Sequence, residues 1–367
     1  MTAEDEKRYA RHLVLPGVGP RGQELLGKAR ILVVGTGGLG SPALMYLAAA
    51  GVGTLGIADF DIVELSNLQR QILFTTDDIG KPKAEIAAAR ITAMNPGVRS
   101  EIHRERLTEK NAGGIIGRYD LVLDCTDNFG TRYLINDACV LHCRPDVFGT
   151  VYRFEGQIAI FDALRGSCLR CFLPAPPPPD LVPGCADGGV MGAMAGTVGA
   201  LQALEAIKIV VGAGNVLIGS LLTIDGLSNT QSRVDIRKNP DCPVCGAHPT
   251  IRTLKEEPGY CHSSGDAEAG KSESSISPSE LRGMIGRGED VLLLDVRTED
   301  ERAARHIGGA CIPLQQLPER WRELESGSRI VVYCKGDTRS NQAVQFLRTK
   351  GFSDVRRLLG GIDAYLL

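Results

Sequence analysis

Residues 30–41 read RILVVGTGGLGS. The run Ile31-Leu32-Val33-Val34 is apolar without alternation, which marks a strand covered on both faces, as in a parallel sheet. It stops at a glycine cluster, Gly35 to Gly40. Residues 41–50 then read as a helix, with Pro42 in the first turn, where its missing N–H costs nothing. A strand, a glycine turn and a helix in succession bring free backbone N–H groups and the positive end of a helix dipole to one place, which suits a phosphate.

Working outward, residues 54–58 read as a second strand and 83–94 as an alanine-rich helix. A third strand, 119–124, ends in Cys125-Thr126-Asp127-Asn128. Strands alternating with helices predict a doubly wound, Rossmann-like α/β sheet. Residues 157–161 and 221–224 read as further strands, whereas PAPPPPDLVPG (174–184) is a long irregular loop. Residues 256–279 mix Ser, Gly, Glu and Pro with few large apolar side chains and read as an exposed linker. Beyond it, strands at 291–294 and 330–333, with helical patterns near Leu281, Trp321 and Gln342, predict a second, small α/β domain. The expected division is a first domain over 1–252, a flexible linker over 253–275 and a second domain over 276–367.

With 43% hydrophobic and 23% charged residues and a net charge of −3, the chain lacks the basic excess of a binder of nucleic acid or anionic membrane. The N-terminal MTAEDEKR has no apolar core and is no signal peptide. The most apolar stretch, 198–211, is interrupted by Gln202, Glu205 and Lys208 and is too short to span a bilayer. A soluble, cytoplasmic protein is expected. The 11 cysteines, an odd number, point toward metal binding or thiol chemistry rather than a secreted disulfide framework.

Asp59 lies 19 residues after Gly40, at the end of the second strand, where a carboxylate can hydrogen-bond a ribose hydroxyl. That much serves NAD as well as ATP, and a glycine turn used only for helix–strand packing is the plain alternative. The following DFDIVELSNLQRQ places Asn67, Gln69 and Arg70 just past the strand. Lys83 follows in IGKPKAE, and Asp127 closes the third strand. Hydride transfer has no use for several cations around the phosphates. Polyphosphate cleavage does, because charge builds on the departing pyrophosphate and Arg, Lys and Mg²⁺ stabilise it.

Residues 7–250 resemble the MoeB/ThiF/HesA adenylyltransferases, bacterial relatives of the ubiquitin-activating enzymes, through KRYARH, VVGTGGLGS, DFDIVELSNLQRQ, IGKPKAE, LVLDCTDN and FEGQI. The resemblance implies an ATP site made of Gly35, Gly37, Gly38, Gly40, Asp59 and Asp61. In it Asp59 binds ribose, Asn67, Arg70 and Lys83 handle the phosphates, and Asp127 binds Mg²⁺. Arg11, in KRYARH, resembles the family arginine that a partner subunit supplies, which implies a homodimer. The implied reaction activates the C-terminal Gly-Gly carboxylate of a ubiquitin-like sulfur-carrier protein as an acyl-adenylate, releasing pyrophosphate. Carriers of that kind serve molybdopterin, thiamine, cysteine or tRNA-thiolation routes, and the resemblance does not select among them.

Cys168-Leu169-Arg170-Cys171 and Cys242-Pro243-Val244-Cys245 are two C-x2-C pairs, and two such pairs can complete a tetrahedral Zn²⁺ site. Their separation exceeds that of a local zinc ribbon, so spacing alone leaves two disulfides or redox pairs open. The family carries a structural zinc at equivalent positions, which implies all four cysteines as its ligands. Cys185, in VPGCADGGV, follows the proline stretch. In the larger family a crossing loop here carries the cysteine that accepts the activated protein as a thioester; a surface cysteine without catalytic duty is the other reading.

Near the C-terminus, LLLDVRTEDE, HIGGACIPL, VVYCKGDTRS and LLGGIDAY resemble a single rhodanese domain. Four residues separate Cys334 from Arg339. Related phosphatases place five between the two, and the shorter loop resembles the sulfurtransferase form. Loop amides and the following helix N-terminus favour a thiolate or persulfide. Lys335 and Arg339 add positive charge and Asp337 opposes it, while Cys311, between Ala310 and Ile312, reads as buried filler. Together the two ends imply two steps. The carrier is first adenylated; a Cys334 persulfide, charged by a cysteine-desulfurase-type donor, then displaces AMP, and Cys185 is the candidate second thiol that releases a thiocarboxylate. An adenylyltransferase with a rhodanese docking module is the alternative. An NAD-dependent oxidoreductase would leave Arg70, Lys83, the cysteine pairs and Cys334 unexplained.

Overall fold

The computed structural model describes residues 2–177, 189–257, 275–325, 327–335 and 338–366. The chain forms two compact units, Met1–Cys261 and His262–Leu367. In the first, strands β1 (Arg30–Val34), β2 (Thr54–Ala58), β3 (Arg99–His103), β4 (Leu121–Asp124), β5 (Asp146–Tyr152), β6 (Glu155–Phe161), β7 (Ser220–Asp225) and β8 (Thr230–Asp235) make one sheet. Their order is β3-β2-β1-β4-β5-β6-β7-β8. Pairing is parallel from β3 to β5 and antiparallel from β5 to β8.

The unbroken apolar run of β1 now has its physical reason. Ile31 and Val33 enter one core with the helices Gly40–Ala49, Lys83–Met94 and Gly192–Val211. Leu32 and Val34 enter the other, with Ala112–Ile116 and Phe129–Leu141. The register aligns Val34 with Ala58 of β2 and with Asp124 of β4. Three strands therefore end level where the strand order reverses, the crevice in which doubly wound sheets bind ligands.

The Gly192–Val211 helix is long and apolar enough to cross a membrane by length and composition. It is a core helix of this sheet. Met194, Ala195, Val198, Ala203 and Ala206 are buried against it, and the fully buried Gln202 donates its Nε2 to Asp124 O and Val147 O, both at 2.8 Å.

One buried group works against stability. Asp146 opens β5 wholly enclosed, and neither of its carboxylate oxygens accepts a hydrogen bond. Burial first, and then the nearby Asp124, push its carboxyl well above the ordinary range, with Arg132 only partly opposing. Folded Asp146 thus keeps its proton where the unfolded chain has lost it, so stability falls as pH rises above about 4. Asp146→Asn is expected to remove that slope. Its gain, about 1–3 kcal/mol at neutral pH, should shrink toward pH 4 when the full chain is melted across that range.

The first unit extends into the expected linker. Leu254 packs on the second core, and Glu257 pairs with the buried Arg170 at 2.6 Å, an attachment that composition could not reveal. Residues 258–274 lie outside the described residues, as do 178–184 of the proline stretch.

In the second unit, β9 (Ser275–Ile276), β10 (Leu292–Asp295), β11 (Ala310–Cys311), β12 (Ile330–Tyr333) and β13 (Val355–Leu358) form a parallel sheet ordered β11-β10-β12-β13-β9. Ile330 and Val332 face a core shared with the Thr338–Thr349 helix, and Val331 and Tyr333 face the other, with the Pro278–Gly286 and Gly361–Tyr365 helices. Cys334 stands at the end of the central strand.

Candidate functional site

The glycine loop is shaped by close backbone approaches. Gly35 has φ +89°, and a Cβ there would lie 2.8 Å from Cys125 O; one on Gly40 would lie 1.9 Å from Gly35 O. Thr36 ties the loop to the end of β2, its N and Oγ1 both donating to Asp59 Oδ2 at 2.7 and 2.6 Å. Asp59 Oδ1 accepts from Asp61 N at 2.9 Å. A carboxylate has about four lone-pair sites, so Asp59 retains capacity for a hydroxyl donor.

Cations gather beside this loop. Lys83, the first residue of its helix, is buried, and its Nζ lies 3.2 Å from Asp61 Oδ2. Arg70 donates Nη1 to Ser66 O at 3.1 Å, and its Cγ stands 3.4 Å from where a Cβ of Gly38 would be. A Cβ on Gly192 would lie 2.4 Å from Gln69 O, so the start of the 20-residue helix abuts the same segment. Asn67 spends its Oδ1 on Glu64 N at 3.2 Å, closing the short turn that presents Arg70. Gly37 lies beside Gln71.

Asp127 is exposed at the end of β4 and makes no hydrogen bond or ion pair among the described residues. Its position is set from both sides. Thr126 donates N and Oγ1 to Asp124 Oδ1 at 2.9 and 2.6 Å, and Asn128 caps the next helix by accepting from Thr131 N at 2.9 Å. Arg11 is elsewhere. Its neighbour Tyr9 is buried and accepts from Asn95 Nδ2 at 2.8 Å, and Asn95 also donates to Ala48 O. His12 bonds Gln23, which donates to Ala50 O. These anchors lie at the far end of the ten-residue Gly40–Ala49 helix, about 15 Å long. Arg11 is exposed there, away from its own glycine loop.

Cys168, Cys171, Cys242 and Cys245 converge, with all four Sγ atoms within 4.8 Å of one another. The separations are 3.9 Å (168–171), 3.6 Å (168–242) and 3.4 Å (171–245). A tetrahedron with Zn–S bonds of about 2.3 Å has edges of about 3.8 Å, so the sulfurs fit a closed four-thiolate site. Burial, then the neighbouring sulfurs, hold the Cys168 thiol far above its usual value, and burial lifts Cys245 to about 12. At Cys171 burial is outweighed by backbone hydrogen bonds from Asn239 and Cys168, leaving that thiol lowered. Four thiols at these separations would hold one Zn²⁺ only as thiolates, so metal binding would release their protons. Between the first pair, Arg170 forks Asp137 at 2.8 Å and locks the knuckle to the Phe129–Leu141 helix.

In the second unit Cys334 is buried, with Sγ 3.5 Å from Ser340 Oγ, and its backbone O accepts from Ile362 N at 2.9 Å. Arg339 does not stand as an open charge. Both its terminal nitrogens donate to Glu301, at 2.6 and 2.9 Å. Cys311, half-buried on β11, has its thiol raised by burial and then by Asp295. Gly336, Asp337 and Cys185 lie outside the described residues.

The ThiF family profile matches residues 9–244, and the rhodanese-like domain profile matches 277–367. The chain belongs to the ThiF family and carries a rhodanese-like domain. Over its whole length it is 44% identical to a probable adenylyltransferase/sulfurtransferase MoeZ of Mycobacterium tuberculosis, covering 94% of that protein. A sulfur carrier protein adenylyltransferase of Thermus thermophilus is 50% identical over 71% of this chain and 98% of its own. The adenylyltransferase and sulfurtransferase MOCS3 of Sus scrofa is 40% identical over the full chain and 86% of its own length. Among solved structures, Escherichia coli MccB superposes with a TM-score of 0.58 at 20% identity, over 70% of this chain and 76% of that one, a likeness of fold.

The ThiF unit thus brings Gly35 to Gly40, Asp59, Asp61, Arg70 and Lys83 into one crevice, with Asp127 on the adjoining strand end and Arg11 apart. Two contributors escaped the sequence reading. Thr36 sits inside the quoted glycine loop, where a hydroxyl next to Gly35 was the available signal. Glu301 ends Thr298-x-x-Glu301, a capping-box pattern, and the structure forms that box.

Proposed function

We propose that the chain adenylates the C-terminal Gly-Gly carboxylate of a ubiquitin-like sulfur-carrier protein and then transfers sulfur to it from a Cys334 persulfide. The observation that carries this reading is the pairing of Lys83 and Arg70 with a glycine loop at level strand ends, in a chain that also holds Cys334 on a rhodanese-like unit. A carboxylate is a poor electrophile. Making it an acyl phosphate ester needs an in-line attack on the α-phosphorus of ATP, with charge accumulating on pyrophosphate.

In this reading the amides of the loop and Arg70 hold the phosphates, and Asp59 takes the ribose hydroxyl with its remaining lone pairs. Lys83 exchanges Asp61 for phosphate oxygen, so its buried ammonium carries charge into the crevice at little cost. Mg²⁺, held by Asp127, supplies neutralisation of the leaving pyrophosphate. Arg11 completes the site of a second copy, because its anchors keep it from its own loop. The four-cysteine site holds Zn²⁺ with no open position and is structural. Persulfide attack on the adenylate carbonyl expels AMP and gives an acyl disulfide; a second thiolate, for which Cys185 is the candidate, attacks the Cys334 sulfur and frees the thiocarboxylate.

Pyrophosphate exchange into ATP that depends on a Gly-Gly-ended carrier is the expected result for the first step. Absence of exchange with any such carrier would count against it. Cys168→Ser is expected to release one equivalent of zinc and to lower the melting temperature of the ThiF unit. Full metal content in that variant would remove the site.

A further inference from the structure

The ladder between β4 and β5 ends at Asp124 and Phe148. Just past it, Thr126 O and Gly149 O both accept from one nitrogen, Nη2 of the buried Arg132, at 2.7 and 3.3 Å. Arg132 comes from the Phe129–Leu141 helix, and its guanidinium lies 5.0 Å from the Phe148 ring and 5.9 Å from that of Phe129. Stability alone does not explain this choice of partners. Asp124 and Asp146 are near enough for the guanidinium to oppose the rise of both carboxyls. Yet Asp124 Oδ2, both Asp146 oxygens and Arg132 Nε are buried without a hydrogen-bond partner. A guanidinium forked onto either carboxylate would satisfy such atoms. Buried donors and acceptors left open mark a constraint other than stability. Here the guanidinium holds the carbonyl of the residue before Asp127.

A peptide unit is rigid and planar, so fixing Thr126 O also fixes the N and Cα of Asp127. The preceding peptide is fixed from the other side, Thr126 N donating to Asp124 Oδ1 at 2.9 Å. Asp127 is exposed and makes no hydrogen bond or ion pair among the described residues, which leaves its oxygens open to a cation. We propose that Arg132 is a positioning residue for adenylation: by holding Thr126 O, opposite the hold of Asp124 on Thr126 N, it sets the Asp127 carboxylate for the nucleotide's Mg²⁺. This rests on the reading that Asp127 binds that metal. Groups that orient a metal ligand commonly govern metal affinity by about 10–100-fold.

The probe is α,β-methylene-ATP, which cannot release pyrophosphate, bound by the full chain in Mg²⁺ and in EDTA. The ratio of the two affinities is the gain from metal. Arg132→Lys keeps a cation near Asp124 and Asp146 but loses the fixed guanidinium fork. It is expected to shrink the gain on the order of tenfold, with affinity in EDTA within about twofold of wild type. Pyrophosphate exchange should then need about tenfold more Mg²⁺ for half its rate, with kcat at saturating Mg²⁺ falling less. Thr126→Val removes the 2.6 Å hydroxyl bond to Asp124, loosens the same turn from its other side, and should shrink the gain about threefold. A folded Arg132→Lys chain with an unchanged gain overturns the inference. So does an equal loss of affinity with and without Mg²⁺, the mark of a purely structural role. If Arg132→Lys does not fold, Thr126→Val decides, and a wild-type gain in that variant overturns the inference. If Asp127→Ala gains as much from Mg²⁺ as wild type, the metal reading of Asp127 fails, and this one with it.

Discussion

Asp127→Ala is expected to abolish carrier-dependent ATP–pyrophosphate exchange, by at least about a hundredfold, while the chain stays folded. Its carboxylate is exposed and makes no hydrogen bond or ion pair among the described residues, so removing it breaks no fold contact. The turn that presents it is built by its neighbours, through Asp124 with Thr126 and through Asn128 with Thr131. An unpaired carboxylate beside a phosphate-binding loop repels its ligand unless a metal ion stands between them. Loss of exchange with unchanged melting would fit that role. Retained exchange would overturn the metal assignment and leave Asp127 as a solvated edge residue.

Cys334→Ala is expected to leave pyrophosphate exchange within about twofold of wild type and to reduce thiocarboxylate formation to background. The glycine loop and Cys334 lie in separate compact units, each with its own core. Cys334 is buried at the end of β12, and alanine fills most of its volume there. Cys125 also follows a central strand, β4, but it is buried and burial pushes its thiol well above the usual value. Thiocarboxylate formed by the variant with a desulfurase as sole sulfur source would assign the transfer to another thiol.

Much of this was legible in the residues, and the failures have physical causes. β1, the Lys83–Met94 helix and β12 fall where apolar runs and composition put them, because each is decided by local pattern. The edge strands β3 and β8 went unread: RSEIH is mostly exposed or half-buried, TQSRVD is exposed throughout, and neither shows a hydrophobic period. β13, VRRL, hides its core contribution in Val355 and Leu358 around two arginines. β5 was missed although largely apolar, since it begins on the buried Asp146 and holds Gly149, whose missing Cβ makes room for Gln202. Each C-x2-C pair was visible by spacing, but bringing Cys168 within 3.6 Å of Cys242 required the fold. Arg339 was readable as a charge near Cys334. Its neutralisation by Glu301, 38 residues earlier, was not.

One chain is proposed both to activate a carrier carboxylate and to put sulfur on it. The most direct test is the intact mass of a Gly-Gly-ended carrier incubated with ATP, Mg²⁺, the full-length protein and a cysteine desulfurase with cysteine. The expected carrier is heavier by the exchange of one oxygen for sulfur, about 16 Da, dependent on ATP and absent with Cys334→Ala. A carrier that is adenylated yet never gains sulfur from a competent donor would contradict it and reduce the rhodanese-like unit to a docking module.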